Sequence, residues 1–157
     1  NMKKALSFIA AAFVAVSMLS SCGVKDKAAE NNQLPAETQE TVAPSGNEIV
    51  LRALAEAGLI KADRTPKPII LDFNAVWCGP CQEFAPVFEA AAEKYGDKVD
   101  FISVDVDKYQ DLSGLMGVES IPNVIVLNAD GSLNRNIVGT GDLLPAEKFD
   151  AIVTSLL

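Results

Sequence analysis

The spacing of apolar and polar positions changes several times along the chain, and each change marks an element. Ser45-Gly46-Asn47-Glu48 has the form of a capping box, and Ile49, Val50, Leu51, Leu54 and Ala57 follow at helical spacing. Gly58 is a natural stop, and Pro66 and Pro68 punctuate a loop. Ile69-Ile70-Leu71-Asp72-Phe73 is apolar throughout except at Asp72, the pattern of a buried central strand. A helix is expected from about Cys81 to Tyr95, ended by Gly96, then a second buried strand over Val99–Val106 and a short helix over Tyr109–Met116. Asn123–Leu127 and Leu133–Val138 read as strands joined at Asp130-Gly131, a hairpin signal. Pro145 suits the first turn of a last helix running to about Leu156. Crossover helices make the first two strands parallel neighbours, and the hairpin supplies an antiparallel edge. The order predicts a three-layer α/β domain.

Ahead of that domain the pattern is different. Lys3 and Lys4 precede Ala5–Leu19, which is uncharged and mostly apolar. This reads as a signal peptide over residues 1–21; a transmembrane helix is the competing reading, but the run is shorter than the ~20 residues that span a bilayer. Leu19-Ser20-Ser21-Cys22 resembles a bacterial lipobox, whose Cys becomes lipid-modified and begins the mature chain. The alternative is an ordinary secretory signal with an incidental Cys. Acyl chains on Cys22 would anchor the protein stably, each buried methylene adding ~0.8 kcal/mol. Gly23 rather than Asp follows Cys22, which points toward the outer membrane or cell surface. Residues 22–45 are rich in Ala, Glu, Asn, Gln, Thr, Pro and Lys and read as a flexible tether, unless Thr41–Ala43 adds an edge strand. Residues 46–157 then form the domain.

Charge narrows the function. The formal net charge is −8, and losing Lys3 and Lys4 with the signal makes it more acidic. Such a surface does not favour nucleic acid. The sequence contains no His, which removes Ser-His and Cys-His catalysis and His-based metal sites.

Two of the three cysteines, Cys78 and Cys81, stand at a strand-to-helix junction in Trp77-Cys78-Gly79-Pro80-Cys81. A helix N-terminus offers unpaired N–H groups and partial positive charge, and both favour a thiolate at Cys78. Lowering a thiol pKa from ~8.5 to ~7 raises the thiolate fraction at neutral pH more than tenfold. Pro80 fits the first helical turn, where its missing N–H costs nothing. A structural disulfide, a metal site and a chance pair compete with this redox reading. A bridge closing so short a ring constrains little of the unfolded chain, and a metal would need further Cys or His ligands.

The segment Leu71–Cys81, with its WCGPC core, resembles the active-site segment of thioredoxins. Pro86, Ser120-Ile121-Pro122 and Gly139 agree with that family in order and spacing, and the resemblance covers roughly residues 47–157. It implies a thioredoxin fold with a central mixed sheet of four to five strands. It implies that Cys78 is the nucleophile, that Cys81 resolves the mixed disulfide, and that Asp72 is a buried acid helping to deprotonate Cys81. Trp77, Gly79, Pro80, Ile121, Pro122 and Gly139 would form the substrate surface, with backbone offered at Ile121 and Gly139. Plain packing is the competing role for Trp77 and Ile121, and a capping or salt-bridged carboxylate for Asp72. Two positions depart from the family pattern: Asn74 stands where many members have Trp, and Ser103 where many have Lys.

The reading that follows is a protein-disulfide reductase of the bacterial cell envelope, lipid-anchored and monomeric, with no metal and no cofactor beyond the Cys78–Cys81 disulfide. Its partners would be disulfide-containing client proteins and a membrane electron donor. The rival readings are a dedicated redox protein for cytochrome c maturation or oxidative folding, and a non-catalytic surface lipoprotein that binds partners through the same fold.

Overall fold

The computed structural model describes residues 44–157. The signal peptide, Cys22, most of the tether and the Thr41–Ala43 strand lie outside the described residues. The elements run α1 (Gly46–Glu56), β1 (Ile69–Asn74), α2 (Gly79–Tyr95), β2 (Asp100–Asp105), α3 (Gln110–Leu115), β3 (Asn123–Leu127), β4 (Leu133–Val138) and α4 (Ala146–Thr154). The capping box at the start of α1 is formed: the Ser45 N–H donates to Glu48 Oε2 at 2.8 Å, and the Glu48 N–H donates to Ser45 Oγ at 3.4 Å.

Among the described residues the sheet has four strands in the order β2-β1-β3-β4. β1 and β2 are parallel; β3 is antiparallel to both β1 and β4. The hairpin therefore inserts its first strand beside β1, so β4 forms one edge of the sheet and β2 the other. Ile69, Leu71 and Phe73 of β1 pack on the α1/α3 side with Leu54 and Leu112, while Ile70 packs on the α2/α4 side with Phe84 and Phe149. The one-residue alternation along a strand produces this division. Asp72 shares its parity with Ile70, so it belongs to the α2 side. There Phe84 meets Phe149 edge-on at 5.0 Å and Phe88 meets Phe101 at 5.5 Å, contacts adding ~0.5–1.5 kcal/mol each beyond burial.

Several boundaries differ from the sequence reading, and β2 and α3 are each one residue shorter at both ends. α2 begins at Gly79 rather than Cys81, because Cys78 itself takes the N-cap conformation and its sulfur accepts the capping hydrogen bond. Pro145 caps α4 from outside instead of occupying its first turn, and α4 ends at Thr154 rather than Leu156. The hairpin turn is fitted closely to α1. Gly131 has φ 84°, and a Cβ there would lie 2.6 Å from Leu51 Cγ and 2.8 Å from the Asn47 carbonyl oxygen. Glycine is required at this position both by conformation and by space.

Candidate active site

The site forms where β1 ends and α2 begins. Ala75, Val76 and Trp77 carry the chain from strand to helix, and the Cys78 N–H closes the turn on the Ala75 carbonyl at 3.1 Å. Cys78 is extended, with φ −88° and ψ 103°, and stands as the N-cap of α2. The Cys81 N–H donates to Cys78 Sγ at 3.2 Å. Cys78 and Cys81 are joined as a disulfide, and both are buried. When the bond is reduced, the same N–H and the dipole of a 17-residue helix face the Cys78 sulfur. Gly79 and Pro80 are exposed in the first turn between them.

Asp72 is 3 % exposed on the central strand. Burial pushes its carboxyl up to about 6, and a hydrogen bond from Asn74 pulls the other way. Among the described residues no Lys or Arg forms an ion pair with it. Its Oδ2 accepts from Asn74 Nδ2 at 3.0 Å, while Oδ1 is buried with no hydrogen-bond partner among the described residues. A carboxyl of this kind can hold or release a proton near neutrality. That is the property needed beside a thiol that must ionise.

The remaining residues named from the sequence lie around this centre, with different exposures. Ile121 is half-buried and packs against Ala75, Cys78 and Cys81, as does Val106. The Ile121–Pro122 peptide is cis, and Pro122 is buried. Gly139 has φ 78°, and its N–H donates to the Pro122 carbonyl at 2.8 Å. Backbone offered to a substrate at Gly139 is therefore its carbonyl. Trp77 is 66 % exposed, and its indole Nε1 donates to Asp107 Oδ2 at 2.7 Å. An exposed ring tethered in this way is not packing the core.

Four residues here are not legible as site residues in the sequence. Asp107 holds Trp77 from the loop after β2, and Val106 packs on the cysteine pair; neither carries a sequence signal apart from strand register. Asn74 and Ser103 stand out in sequence only as departures from a family pattern. The parallel register pairs Asp72 with Ser103, and Asn74 Nδ2 also donates to Ser103 Oγ at 2.7 Å. The two departures are one hydrogen-bonded unit attached to the buried acid.

The thioredoxin family model matches residues 58–153. The chain is 46 % identical over 68 residues to a thioredoxin of Borreliella burgdorferi, a match that covers 43 % of this chain and 58 % of that protein. It is 36 % identical over 110 residues to a thioredoxin H-type of Chlamydomonas reinhardtii, covering 69 % of this chain and 93 % of the relative. The chain thus spans little more than half of the first relative and nearly all of the second. Among solved structures, the germline-specific thioredoxin Deadhead of Drosophila melanogaster superposes with a TM-score of 0.55 at 28 % identity, over 68 % of this chain and 91 % of that one. Sequence, fold and the placement of the cysteine pair agree, and the chain belongs to the thioredoxin family.

Proposed function

We propose that this protein is a thiol–disulfide oxidoreductase that reduces disulfides of client proteins in the bacterial cell envelope. The observation that carries the reading is the Cys78–Cys81 pair at the start of α2, with Cys78 as the cap and a buried carboxyl, Asp72, on the adjoining strand. In the dithiol form the Cys78 thiolate attacks one sulfur of a client disulfide. A Cys78–client bond forms, and the other client sulfur leaves as a thiolate. Cys81 then loses its proton to Asp72 and attacks Cys78. The Cys78–Cys81 bond forms, the second client thiolate leaves, and Asp72 returns its proton to solvent. The client gains two electrons and the cysteine pair loses two. Clients would meet Trp77, Gly79, Pro80 and Ile121, which flank the pair.

Direction and location rest on the sequence. Gly79-Pro80 between the cysteines and apolar Ile121 before Pro122 are similar to reducing members of the family. Lys3-Lys4, the apolar run to Leu19 and Leu19-Ser20-Ser21-Cys22 support export and lipid attachment at Cys22. Envelope compartments are kept oxidising, so a reductant there needs a membrane protein to supply electrons.

Equilibration of the Cys78–Cys81 couple against dithiothreitol or glutathione tests the direction. A potential near about −270 mV is expected, and one near about −120 mV would overturn it in favour of an oxidant. Fatty-acid labelling in a bacterial host tests the anchor: label is expected on the native chain and not on Cys22→Ser. A native chain without label would overturn lipid attachment.

A further inference from the structure

Asn74 and Ser103 lead from the buried acid to the surface. Asp72 is 3 % exposed, Asn74 is half-buried, and Ser103 at the β2 edge is exposed. The two N–H groups on Asn74 Nδ2 are shared among three acceptors, the Asp72 main-chain carbonyl at 3.0 Å, Asp72 Oδ2 at 3.0 Å and Ser103 Oγ at 2.7 Å. A main-chain carbonyl only accepts, so it fixes the NH₂ side of the amide toward Asp72 rather than the oxygen side. An amide held this way supports the ionised carboxylate, which accepts, against the burial that opposes it. One carboxyl oxygen is thereby occupied, and the other, Oδ1, takes no hydrogen bond from the described residues. Beside these groups lies a cleft of about 420 Å³, lined by Asp72, Asn74, Cys81, Gln82 and Ser103 among others. It is large enough for several waters, each of which takes ~30 Å³ in the liquid.

We propose that Asn74, braced by Ser103, is a positioning residue that sets the proton affinity of Asp72 and reserves Oδ1 as the oxygen that takes the Cys81 proton. The proton then leaves through the adjoining cleft. The proposal rests on the reductase reading above for its role in turnover, but the proton affinity of Asp72 exists without it. In the resolving step the Cys81 S–H proton passes to Asp72, the Cys81–Cys78 bond forms, and the Cys78–client bond breaks to release a client thiolate. Asp72 then loses its proton to water. No outside oxidant is required, because the mixed disulfide already holds the electrons' acceptor.

The groups facing Asp72 are few. From α2 the cleft presents Cys81 and Glu89; β2 presents uncharged Ser103, and β3 places Val124 opposite Asp72 in the register. Glu89 is exposed and carries the one other carboxylate in the lining, so Glu89→Gln serves as its control.

The test is a carboxyl-carbon NMR titration of Asp72 in the oxidised full-length protein, for the native chain, Asn74→Leu and Ser103→Ala. Asn74→Leu removes the donor while keeping the volume, so water entry does not mask the effect. The Asp72 midpoint is expected to rise by about one unit in Asn74→Leu, and by less in Ser103→Ala, where the amide keeps its contact but loses its brace. A midpoint that stays or falls in both variants overturns the proposal; if Asn74→Leu does not fold, Ser103→Ala alone decides on the same criterion. A shift in Glu89→Gln equal to that in Asn74→Leu also overturns it. Stopped-flow release of thionitrobenzoate from its mixed disulfide with Cys78 then tests the kinetic role. For a one-unit rise, the Cys81 step at pH 6.5 should slow about threefold in Asn74→Leu, with its acid limb displaced upward by the same unit. An unmoved limb overturns the positioning role. Native protein that never releases the thiol would instead defeat the reductase reading, leaving the NMR result standing.

Discussion

Of the three carboxyls on the β1–β2 pair, Asp105 accepts from the Asp107 N–H in the turn that follows, while Asp100 at one end and Asp72 toward the other are treated differently. At the start of β2, Asp100 meets Arg64 Nη1 at 3.0 Å, with Lys67 Nζ at 3.9 Å. Arg64 also donates to the carbonyls of Thr65 and Lys67, so it ties the loop before β1 to the next strand. Toward the other end, Asp72 is buried without a cation and touches an amide instead. A carboxylate held by a cation serves as an anchor. A carboxyl without one, held near a pKa of about 6, is poised to exchange a proton at neutral pH. The same residue type is an ion-pair anchor at one end of the strand pair and, on the proposed mechanism, a proton carrier at the other.

Substitutions at the two ends should separate these roles. The largest effect is expected from Cys78→Ser, which should bring insulin-disulfide reduction to the uncatalysed baseline. Retained activity would move the chemistry away from this end altogether. Next is Asp72→Asn, which should slow the Cys81 step on the order of tenfold or more at pH 7 and also stabilise the fold. The native Asp72 pKa is raised above its ordinary value of 3.8. The folded state therefore binds more protons between about pH 4 and pH 6, and native stability falls as pH rises through that window. Urea unfolding should find Asp72→Asn more stable than the native chain by up to about 3 kcal/mol at pH 7, with no difference near pH 3. An equal gain at both pH values would show that burial of the charge is not the cause.

The opposite end should answer in reverse. Arg64→Met is expected to cost about 1–2 kcal/mol of stability and leave the reduction rate unchanged, since the ion pair and its hydrogen bonds are only partly shielded from solvent. A slowed rate would mean that the two ends communicate. Asp107→Ala should have the smallest effect on stability, within about 0.5 kcal/mol. By freeing the Trp77 indole it should raise KM for a protein disulfide roughly twofold to fivefold with kcat unchanged.

Much of this was legible because it depends on local spacing. The capping box at Ser45, the apolar run of β1 and the Asp130-Gly131 turn each specify their element from a few neighbouring residues. WCGPC marks the reacting pair for the same reason. What escaped depends on register between strands. Asn74 and Ser103 are 29 positions apart, and only the parallel pairing of β1 with β2 puts one amide between Asp72 and Ser103. Asp107 meets Trp77 across 30 positions by the same route. The sequence pattern sets the start of α2 about two residues late, because a cysteine is not among the usual capping residues. Here the sulfur of Cys78 performs the capping role, and the helix begins at Gly79.

In the proposed mechanism Cys78 attacks and Cys81 resolves. Its most direct test is to incubate the reduced Cys81→Ser chain with a protein disulfide and map any covalent adduct by mass spectrometry. An adduct through Cys78 that persists until dithiothreitol is added is expected, and none from Cys78→Ser/Cys81→Ser. No adduct, or an adduct that survives in the double variant, would contradict it.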